Sequence, residues 1–352
     1  MSTLEEIIAR IKPLDRSAGE AAQARLDNLT KPLGALGDLE RLARHLAEIR
    51  GSADIAQPRA AVAVFAADHG VAQAGVSPYP AEVTPQMVFN ILAGGAGINV
   101  LSRRAEAEVT VVDVGVNYDF GDTPGLVQAK VAMGTKNLAE EAAMTLDEAR
   151  QAIGVGAQVA NKLIADGADL LIAGEMGIGN TTPCAALTAL FSGRPVAEVT
   201  GRGAGLDEKG LAQKIRIIEK ALALHRPSPE RPLEALAALG GLEIAAICGY
   251  MLEAAAQGVP VIVDGFIAGC GALVATRLAP AVADYLMAGH NSVEIGHQVQ
   301  LKAMGLTPIL SLDLRLGEGT GAALALQIVR AAVAIYNEMA TFADAGVTGH
   351  QG

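Results

Sequence analysis

Short apolar runs alternate with stretches of helical pattern through most of the chain, and this alternation limits the possible folds more than any other feature. The apolar runs lie at residues 60–66, 109–115, 169–173, 259–265 and 307–312, and the helical stretches include 86–104, 145–165, 207–224 and 235–257. Continuous apolar runs are typical of parallel strands that are buried on both sides, with helices as crossovers. The sequence therefore predicts an α/β fold, with a parallel sheet covered by helices on both faces.

The first 50 residues predict helices that have no strand to cover. An apolar stripe at three- and four-residue steps runs from Leu33 to Ile49, and a break at 31–34 separates it from an earlier helix that ends near Leu29. Residues 322–339 share one apolar helical face and predict a long closing helix. We expect a small helical unit at the amino end, against which the last helix packs.

Composition excludes several classes of partner. A formal charge of −11 does not supply the basic face that nucleic acid requires. Cys184, Cys248 and Cys270 are too scattered for a disulfide framework or a metal site, and they predict buried thiols. The N-terminus lacks the basic segment of a signal peptide, and charges interrupt the apolar C-terminal half before about 20 apolar residues accumulate. We expect a cytoplasmic protein that does not span a membrane.

Two glycine-rich turns each carry a glutamate and precede a predicted helix. The first is residues 174–182, GEMGIGNTT, and the second is residues 317–321, GEGTG. Both follow apolar runs, so strand, turn and helix succeed one another as they do at the ligand sites of open α/β sheets. Glycine lets the backbone approach a ligand closely, and free N–H groups at a helix start attract anions. The pattern predicts an enzyme that acts on a small phosphorylated substrate.

The turn at 177–182 resembles an anion nest, to which Thr181 and Thr182 add hydroxyl groups. It is not a Walker A loop, because no Gly-Lys-Ser/Thr follows. An ordinary tight turn with a helix cap accounts for the same residues equally well. Another glycine turn brings Arg202, and Lys214 follows one helix later; the ordinary fate of both is a solvated surface charge.

Glu318 lies between glycines at the end of a predicted strand, which makes it a candidate general base. In the alternative role it caps the following helix, whose N-terminus would lower the pKa of the carboxyl, whereas an apolar pocket would raise it. The sequence leaves this balance open.

Four other acids also follow predicted strands: Asp68, Asp113, Glu175 and Asp264. We therefore expect these acids to converge with Glu318 at one edge of the sheet.

Two neighbouring segments have less specific signals. Asp68 and His69 are adjacent on a strand, so their side chains point to opposite faces, and His69 is predicted to be structural. Residues 76–80, VSPYP, form a stiff loop. This loop either walls a flat aromatic ligand or is simply a rigid turn, and the second interpretation is slightly favoured.

Two other functional classes follow from these residues alone. An NAD-dependent oxidoreductase is disfavoured, because no Gly-x-Gly-x-x-Gly with a well-placed downstream acid follows the first strand. A non-catalytic nucleotide-binding or regulatory module is less economical, because two glutamates stand in ligand-facing glycine turns. Release of a nicotinic base without redox change would exclude the first class, and turnover that depends on Glu318 would exclude the second.

A series of motifs along nearly the whole chain indicates one protein family. They are LTKPLG at 29–34, DHGV at 68–71, VTPQMV at 83–88, GGAGINV at 94–100, GEMGIGNTT at 174–182, GRG at 201–203 and LGEGTGAA at 316–323. In this order they closely resemble the nicotinate-nucleotide–dimethylbenzimidazole phosphoribosyltransferase family, which belongs to lower-ligand assembly in cobalamin biosynthesis. A single glycine turn would be unspecific, whereas so many motifs in series are specific.

The resemblance implies a fold and a reaction. It implies a Rossmann-like large domain, residues 56–321, and a small helical domain made of residues 1–55 together with 322–352. It also implies a homodimer without a cofactor or a metal. The family transfers the phosphoribosyl group of nicotinate mononucleotide to 5,6-dimethylbenzimidazole, with inversion at the anomeric carbon. The products are α-ribazole 5′-phosphate and nicotinate.

The resemblance also implies residue roles, carried over from the matching motifs. The family's general base is the glutamate of Gly-Glu-Gly-Thr-Gly, which here is Glu318. The nucleotide and its phosphate would contact Glu175, Gly177, Gly179, Asn180, Thr181, Gly203 and Lys214. The benzimidazole would contact Ser77, Tyr79, Gln86 and Met87.

A nearer alternative keeps the fold and the transfer but changes the acceptor. Lower-ligand bases differ among organisms, so the acceptor could be a purine, a phenol or another benzimidazole. A phenolic acceptor requires two related subunits in the known cases. The loop at 77–80 is where this selectivity is expected to be decided.

Overall fold

A six-stranded sheet organises the chain, of which this computed structural model describes residues 2–348. The strands are β1 Ala60–Ala67, β2 Glu108–Gly115, β3 Leu126–Gln128, β4 Leu170–Met176, β5 Val261–Val263 and β6 Leu286–Ala288. All neighbours pair in parallel, in the order β3-β2-β1-β4-β5-β6. This is the doubly wound order, which reverses between β1 and β4. The predicted α/β class with a Rossmann-like parallel sheet is confirmed.

Helices cover both faces of the sheet. Within residues 2–348 they are α1 Leu4–Arg10, α2 Arg16–Asp27, α3 Asp38–Arg50, α4 Val83–Leu92, α5 Gly97–Arg104, α6 Leu146–Ala165, α7 Thr181–Ser192, α8 Val196–Val199, α9 Glu208–His225, α10 Pro232–Leu239, α11 Leu242–Ala256, α12 Phe266–Leu278, α13 Ile295–Met304, α14 Thr320–Glu338 and α15 Phe342–Ala345. Short 3-10 helices occupy Gly70–Ala74 and Pro280–Tyr285.

Strand β1 explains why both faces of the sheet are buried. All eight of its residues, AAVAVFAA, are buried, and alternate side chains enter two different hydrophobic clusters. Ala63 and Phe65 share one cluster with residues of α6, α7, α11 and α12. Val62 and Val64 share the other with residues of α3, α5 and α14. The period of two along a strand thus builds a core on each side.

Helices α6 and α11 lie in backbone contact on the first of these faces. A Cβ at Gly156 would lie 1.7 Å from the carbonyl oxygen of Ala246, and one at Gly249 would lie 1.9 Å from that of Ile153. Neither position therefore accommodates a side chain without displacement of a helix. Of this close pair, α11 packs against the central strands β1, β2 and β4.

The predicted strand at 307–312 is wrong. Leu310 forms only an isolated parallel bridge to His290, and the N–H of Ile309 donates to the carbonyl of Ala288. The chain therefore only touches the edge strand β6, which lies upstream in the sequence. Both edge strands, β3 and β6, are three residues long, and such short segments show too little alternation to be recognised from sequence.

Two predicted helices are each divided. The stretch 86–104 forms α4 and α5, because the chain turns at Gly94, whose φ is +78°. The stretch 235–257 forms α10 and α11, which Gly240 and Gly241 separate. The remaining two predictions are confirmed as α6 and α9.

The apolar stripe of the amino-terminal region is confirmed only in its second half. Helix α3 begins at Asp38 rather than near Leu33, and Leu33 is 70% exposed. Leu42, Leu46 and Ile49 are buried as the stripe predicts. The Pro32-Leu33-Gly34 segment is instead an exposed loop ahead of the helix.

Helices α2 and α3 meet the carboxyl-terminal part of the described chain on one side of the sheet, whereas Leu4 and Ile7 of α1 pack in the cluster on the other side. Helix α3 packs with α2 and with α14, and an isolated antiparallel bridge joins Leu29 to Thr341. Side chains of these helices belong to the same cluster as Val62 and Val64 of β1. The small domain predicted for 1–55 with 322–352 includes Met1 and 349–352, which lie outside the described residues. The division into two domains stays a prediction.

Among the described residues, only α14 is long and apolar enough to cross a membrane by length and composition. More than half of its apolar window, 56%, is buried inside the protein. Ala325, Leu326 and Val329 of this helix pack in the cluster of α3 and β1, as in the core helix of a globular fold.

Candidate active site

A cleft of about 420 Å³ opens at the carboxyl ends of β4 and β5. Its polar and charged walls are Glu175, Asn180, Thr181, Asp264, His290, Ser292, Glu294, Arg315 and Glu318. Its apolar walls are Tyr79, Val83, Met87, Met176, Ile178, Phe266, Ile267, Ala268 and Leu316, and Ala204 with several glycines completes it. The cleft borders strand β4, where the strand order reverses and where open α/β sheets bind ligands.

The cleft brings together most of the predicted site residues. Those that line it are Glu318, Glu175, Gly177, Asn180, Thr181, Gly203, Tyr79 and Met87. Those that lie outside its wall are Gly179, Lys214, Ser77 and Gln86.

Two larger depressions, of about 760 and 630 Å³, lie elsewhere on the surface. The first surrounds the amino ends of β1 and β2, near Arg59 and Glu108, and the second lies between α3 and residues 283–309. Open α/β sheets bind ligands at the carboxyl ends of their strands, beside the reversal of the strand order. The first depression lies at the amino ends, and the second runs along the edge strand β6, away from the reversal. The smaller cleft is therefore the candidate active site.

Glu318 occupies the middle of a left-handed turn. Gly317, Glu318 and Gly319 have φ angles of +82°, +63° and +95°. Because this conformation is unfavourable for glutamate, the surrounding contacts have to hold it. Its Oε2 accepts a hydrogen bond of 3.0 Å from the N–H of Ile98, the second residue of α5. The side chain thus binds the N-terminus of α5. The alternative role, as a cap of the following helix α14, is wrong.

Burial decides the acidity of Glu318. It raises the pKa of the carboxyl above 4.5, and the charge of Asp264 acts in the same direction. The N–H groups of Ile98 and Gly97 oppose this effect without cancelling it. The question that the sequence left open is thus resolved towards a raised pKa, which makes the carboxylate a better proton acceptor than an exposed one.

Asp264, rather than Glu318, hydrogen-bonds the N-terminus of α14. Its Oδ2 accepts a hydrogen bond of 3.2 Å from the N–H of Gly319, and its Oδ1 accepts one of 3.0 Å from that of Ala322. His290 lies beside it, with Nε2 3.5 Å from Oδ1. Both side chains are almost fully buried and line the cleft.

Glu175 is buried against the same turn. Burial raises the pKa of its carboxyl from 4.5 to about 8, and the charges of Glu243 and Asp264 contribute to the rise. Asn180 donates a hydrogen bond to its Oε2, and a Cβ at Gly317 would lie 2.2 Å from its Oε1. Glu175 therefore holds its proton at neutral pH, and both glutamates pack on one backbone turn.

Thr181, Gly203 and Lys214 converge beside the cleft, and we call them the cradle. The Nζ of Lys214 donates to the Oγ1 of Thr181 over 2.7 Å and to the carbonyl of Gly201 over 3.3 Å. A Cβ at Gly203 would lie 3.0 Å from that Oγ1, so only glycine leaves room. Thr181 is the first residue of α7, whose N-terminus attracts anions. The cradle suits a phosphate group.

The surface position expected for Lys214 is wrong, because its side chain is fully buried. Burial lowers the pKa of the ammonium from 10.5 to about 8, although the charge of Glu294 raises it. Arg202, by contrast, is exposed and pairs with Glu208, as a surface charge does. A lysine kept at the edge of its charged range is sensitive to an anion placed beside it.

The glycines of the first turn have distinct structural reasons. A Cβ at Gly177 would lie 2.4 Å from the carbonyl oxygen of Ala67 at the end of β1. Gly179 has a φ of +91° and faces Ala72 rather than the cleft. The N–H of Ile178 between them donates to the Oγ1 of Thr84 over 3.1 Å. The turn is therefore packed tightly against β1 and α4.

The loop at 77–80 and helix α4 form another side of the cleft. Tyr79 is 53% exposed while it lines the cleft, so it lies at the mouth. Met87 also contributes to the wall, whereas the adjacent Gln86 does not. The Oγ of Ser77 accepts a hydrogen bond of 3.1 Å from the N–H of Tyr79 and thereby shapes the loop.

His69 is structural, as predicted. It is buried, with Nε2 2.7 Å from Oε1 of Glu243. Burial lowers the pKa of the imidazole, but the charge and hydrogen bond of Glu243, with the charge of Asp68, raise it overall. This pair lies behind Gly177, whose Cβ would come within 3.3 Å of the His69 ring.

The predicted convergence of five acids holds for Glu175, Asp264 and Glu318 only. Asp68 accepts a hydrogen bond of 2.9 Å from the N–H of Asn117 and does not line the cleft. Asp113 pairs with Lys130 over 2.7 Å on the far side of β1. Two of the three converging acids follow or end neighbouring strands, β4 and β5, and the third lies in the loop before α14.

The loop that follows β6 supplies cleft residues that the sequence did not single out. It contributes His290, Ser292 and Glu294. The Oε2 of Glu294 is buried and has no hydrogen-bond partner among the described residues. Arg315, also missed, donates to the carbonyl of Gly203 over 3.2 Å. The available signal was a polar segment after an apolar one, but β6 was not recognised as a strand.

The cysteines are free and buried, as predicted. Among residues 2–348, no group of three or more His, Cys, Asp and Glu side chains is arranged to hold a metal ion.

Comparison with known proteins identifies the family. A phosphoribosyltransferase family model matches residues 11–347. The nicotinate-nucleotide–dimethylbenzimidazole phosphoribosyltransferase of Geobacter sp. (strain M21) is 55% identical over 99% of this chain and 100% of the relative. That of Chloroflexus aggregans (strain MD-66 / DSM 9485) is 54% identical over 99% of both chains. The crystal structure of CobT from Thermus thermophilus superimposes with a TM-score of 0.92 at 50% identity, over 95% of this chain and 100% of that one. The chain therefore belongs to the nicotinate-nucleotide–dimethylbenzimidazole phosphoribosyltransferase family, and it is a phosphoribosyltransferase.

Proposed function

We propose that this protein transfers the phosphoribosyl group of nicotinate mononucleotide to 5,6-dimethylbenzimidazole, in the assembly of the cobalamin nucleotide loop. The names of the relatives support this pair of substrates. The observation that carries the proposal is the cleft, which the cradle, Glu318 and apolar walls border together. A phosphorylated donor, an acceptor that loses a proton and a flat aromatic ring require these three features.

In the proposed reaction, one ring nitrogen of the benzimidazole attacks the anomeric carbon from the face opposite nicotinate. The bond from that carbon to the nicotinate nitrogen breaks, and its electron pair leaves with nicotinate. The configuration inverts from β to α, and α-ribazole 5′-phosphate forms. The other ring nitrogen becomes acidic as the new bond forms, and ionised Glu318 accepts its proton.

The donor nucleotide is proposed to bind with its phosphate in the cradle. The N-terminus of α7 and the ammonium of Lys214 both favour an anion there. Gly177, Gly179 and Asn180 would complete the phosphate site, the first and last from the cleft wall. The role that we propose for Glu175 is a hydrogen bond from its protonated carboxyl to the nucleotide, which its raised pKa supports.

The benzimidazole is proposed to lie on the side of the cleft formed by the loop at 77–80 and α4. Tyr79 and Met87 supply aromatic and apolar surface there. Ser77 and Gln86 adjoin these two residues and would act through them or after a small shift of the loop. Positioning of donor and acceptor in one cleft would supply much of the rate enhancement.

A product assay tests the reaction and the base together. Purified protein is incubated with nicotinate mononucleotide and 5,6-dimethylbenzimidazole, and the products are separated by chromatography with mass detection. We expect nicotinate and α-ribazole 5′-phosphate from the wild type, and a loss of about a hundredfold or more in Glu318→Gln. Glu106→Gln is the matched control, because Glu106 also has a positive φ, +45°, but lies at the amino edge of the sheet.

Each other outcome has a definite meaning. If the Glu318→Gln variant forms product as fast as the wild type, the proposed function would stand, but Glu318 would not be the general base. Product only with a purine, a phenol or another benzimidazole would keep the transfer and change the acceptor. No product with any of these bases would overturn the proposed function.

We also propose a cytoplasmic homodimer. Free, buried thiols are typical of proteins from reducing compartments. Phe89 and Tyr118 are 41% and 43% exposed, and both form edge contacts with Phe120. An exposed aromatic cluster of this kind is a surface that association can bury. Sedimentation velocity over a hundredfold range of concentration should show a dimer, and a monomer at every concentration would contradict it.

A further inference from the structure

The side chain of Asp264 is hydrogen-bonded to the backbone that follows Glu318 in the sequence. Asp264 follows β5, it is 2% exposed, and its two carboxylate oxygens accept from the N–H groups of Gly319 and Ala322, over 3.2 and 3.0 Å. Gly319 is the residue after Glu318 and the N-cap of α14. One side chain thus links the end of β5, the Glu318 turn and the start of α14.

The turn needs such anchors, because three consecutive residues have positive φ angles. On its amino side, Gly317 packs on the carboxyl of Glu175. Beneath it, the carbonyl of Glu318 packs on Gly174. Asp264 is the anchor on its carboxyl side, and there it is the group that hydrogen-bonds the turn backbone.

The charged and titratable groups around the Glu318 carboxyl are few. Glu175 faces the turn from β4, Asp264 from β5 and His290 from the end of β6, while α5 presents N–H groups rather than a charge. Glu294 and Arg315 line the same cleft. Of these groups, Asp264 is the one whose charge raises the pKa of Glu318.

We propose that Asp264 is a positioning residue for Glu318: it fixes the Gly317–Gly319 turn to α14, and its negative charge adds to the effect of burial in shifting upwards the pH range in which Glu318 accepts a proton. The backbone hydrogen bonds carry the first part, and the location of both carboxyls in one buried cleft carries the second. The catalytic consequence rests on the proposed function, whereas the effect on the turn and on the titration of Glu318 does not.

The chain offers a matched control in Asp113. This aspartate also lies at a strand end, is 1% exposed and accepts a backbone hydrogen bond, from Val116 over 2.9 Å. It pairs with Lys130 and does not line the cleft. Asp113→Asn therefore removes another buried strand-end carboxylate that accepts from the backbone, without touching Glu318.

The first test uses the protein without ligands. The carboxyl carbon of Glu318 is titrated by NMR in protein labelled with 13C at the glutamate carboxyls, and its signal is assigned by its loss in Glu318→Gln. In Asp264→Asn the signal should titrate at lower pH than in the wild type, and in Asp113→Asn at the same pH. Amide exchange of the 317–323 segment, measured by mass spectrometry, should be faster in Asp264→Asn only. An unmoved titration together with unchanged exchange would overturn the proposal.

The second test is kinetic. We expect Asp264→Asn to lower kcat about tenfold or more, with little change in the KM for nicotinate mononucleotide, and to move the acid limb of the kcat/KM profile to lower pH. In the Glu318→Gln background the same change should cost little more, because Asp264 acts through Glu318. An equal loss in both backgrounds would show that Asp264 acts independently of Glu318 and would overturn the proposal.

Two further measurements apply if the variant does not fold or if the wild type has no transferase activity. If Asp264→Asn does not fold, Asp264→Glu keeps the charge but moves the carboxylate by one methylene, so kcat should fall while the acid limb stays in place; an acid limb that moves would contradict the assignment. If the wild type transfers no phosphoribosyl group, the proposed function fails, and the NMR titration still decides whether Asp264 controls Glu318.

Discussion

The backbone of Gly174 lies directly against the carbonyl of Glu318: a Cβ at Gly174 would come 2.1 Å from that oxygen. Gly174 belongs to β4, in the centre of the sheet, whereas Glu318 belongs to a loop. The contact therefore transmits the position of a rigid strand to the proposed general base. A functional side chain is held most precisely when its support is a regular element rather than another loop.

Gly174→Ala should damage both stability and activity. The methyl group cannot fit, so either β4 or the 317–319 turn has to move, and overpacking of this kind costs about 1–3 kcal/mol. Chemical denaturation measures the loss, and kcat should fall more than the population of folded protein explains. Gly154→Ala in α6 is the control, because apart from the neighbouring backbone of its own helix nothing lies within 4 Å of its new methyl group. An active, fully stable Gly174→Ala protein would contradict the contact.

Glu175 should make the wild type lose stability as the pH rises from about 5 to about 8. Its pKa is about 8 in the folded protein and near 4.5 when unfolded, so the folded state binds one proton more in this interval. The free energy of unfolding then falls with increasing pH. In Glu175→Gln this contribution disappears, so the difference between variant and wild type should grow towards pH 8. Denaturant titrations at several pH values measure it, and a constant difference would mean that Glu175 is ionised throughout.

Lys214 should make donor binding sensitive to alkali. With a pKa of about 8, its ammonium loses the charge above that pH, and the cradle then holds a phosphate less well. We expect the KM for nicotinate mononucleotide to rise above pH 8 in the wild type. In Lys214→Met it should be at least about tenfold higher at pH 7 and should lack this rise. Lys209→Met, on the exposed side of the same helix, should behave as the wild type does.

The stability linked to Lys214 has the opposite sign from that of Glu175. A lysine whose pKa is lowered by folding binds its proton more weakly in the folded state. Between pH 8 and 10.5 the unfolded chain therefore holds more protons, and this residue makes the protein more stable as the pH rises. Lys214→Met should remove that increase in the free energy of unfolding.

Tyr79→Ala should weaken binding of the acceptor and leave binding of the donor unchanged. Tyr79 offers aromatic surface at the mouth of the cleft, and loss of an aromatic contact with a flat base is worth about 0.5–1.5 kcal/mol. The KM for 5,6-dimethylbenzimidazole should therefore rise several-fold while the KM for nicotinate mononucleotide stays the same. Leu33→Ala provides the control, because Leu33 is also exposed and lies outside both the cleft and the aromatic cluster. Equal changes in both KM values would place Tyr79 elsewhere in the mechanism.

The central part of the fold follows from the sequence, but the edges of the sheet do not. Strand β1 is recognised as a short apolar run that alternates with helical stretches, and α6 is recognised from its length and helical apolar period. Strand β6 has three residues and is defined by pairing with β5, a contact that local pattern does not encode. The segment around Leu310 has the composition of a strand, but the sheet has already ended beside it.

The site was predictable to the extent that glycine turns reveal it. The turns at 174–182 and 317–321 identify Glu175 and Glu318 from the sequence alone. The burial of Lys214 could not be foreseen, because it depends on Thr181, which is 33 residues away in the sequence. The acidity of Glu318 likewise depends on burial and on Asp264, which meet it only through the tertiary fold.

The three thiols can report on how the protein opens. Cys184, Cys248 and Cys270 are fully buried, and they lie on α7, α11 and α12, all on one face of the sheet. A thiol reagent reaches such groups only when that face separates from the strands. The rate of modification in native buffer therefore measures the free energy of opening for this half of the core, without any engineered probe. The other half, built around α3 and α14, carries no thiol in the described chain, so its fraying would leave the signal unchanged.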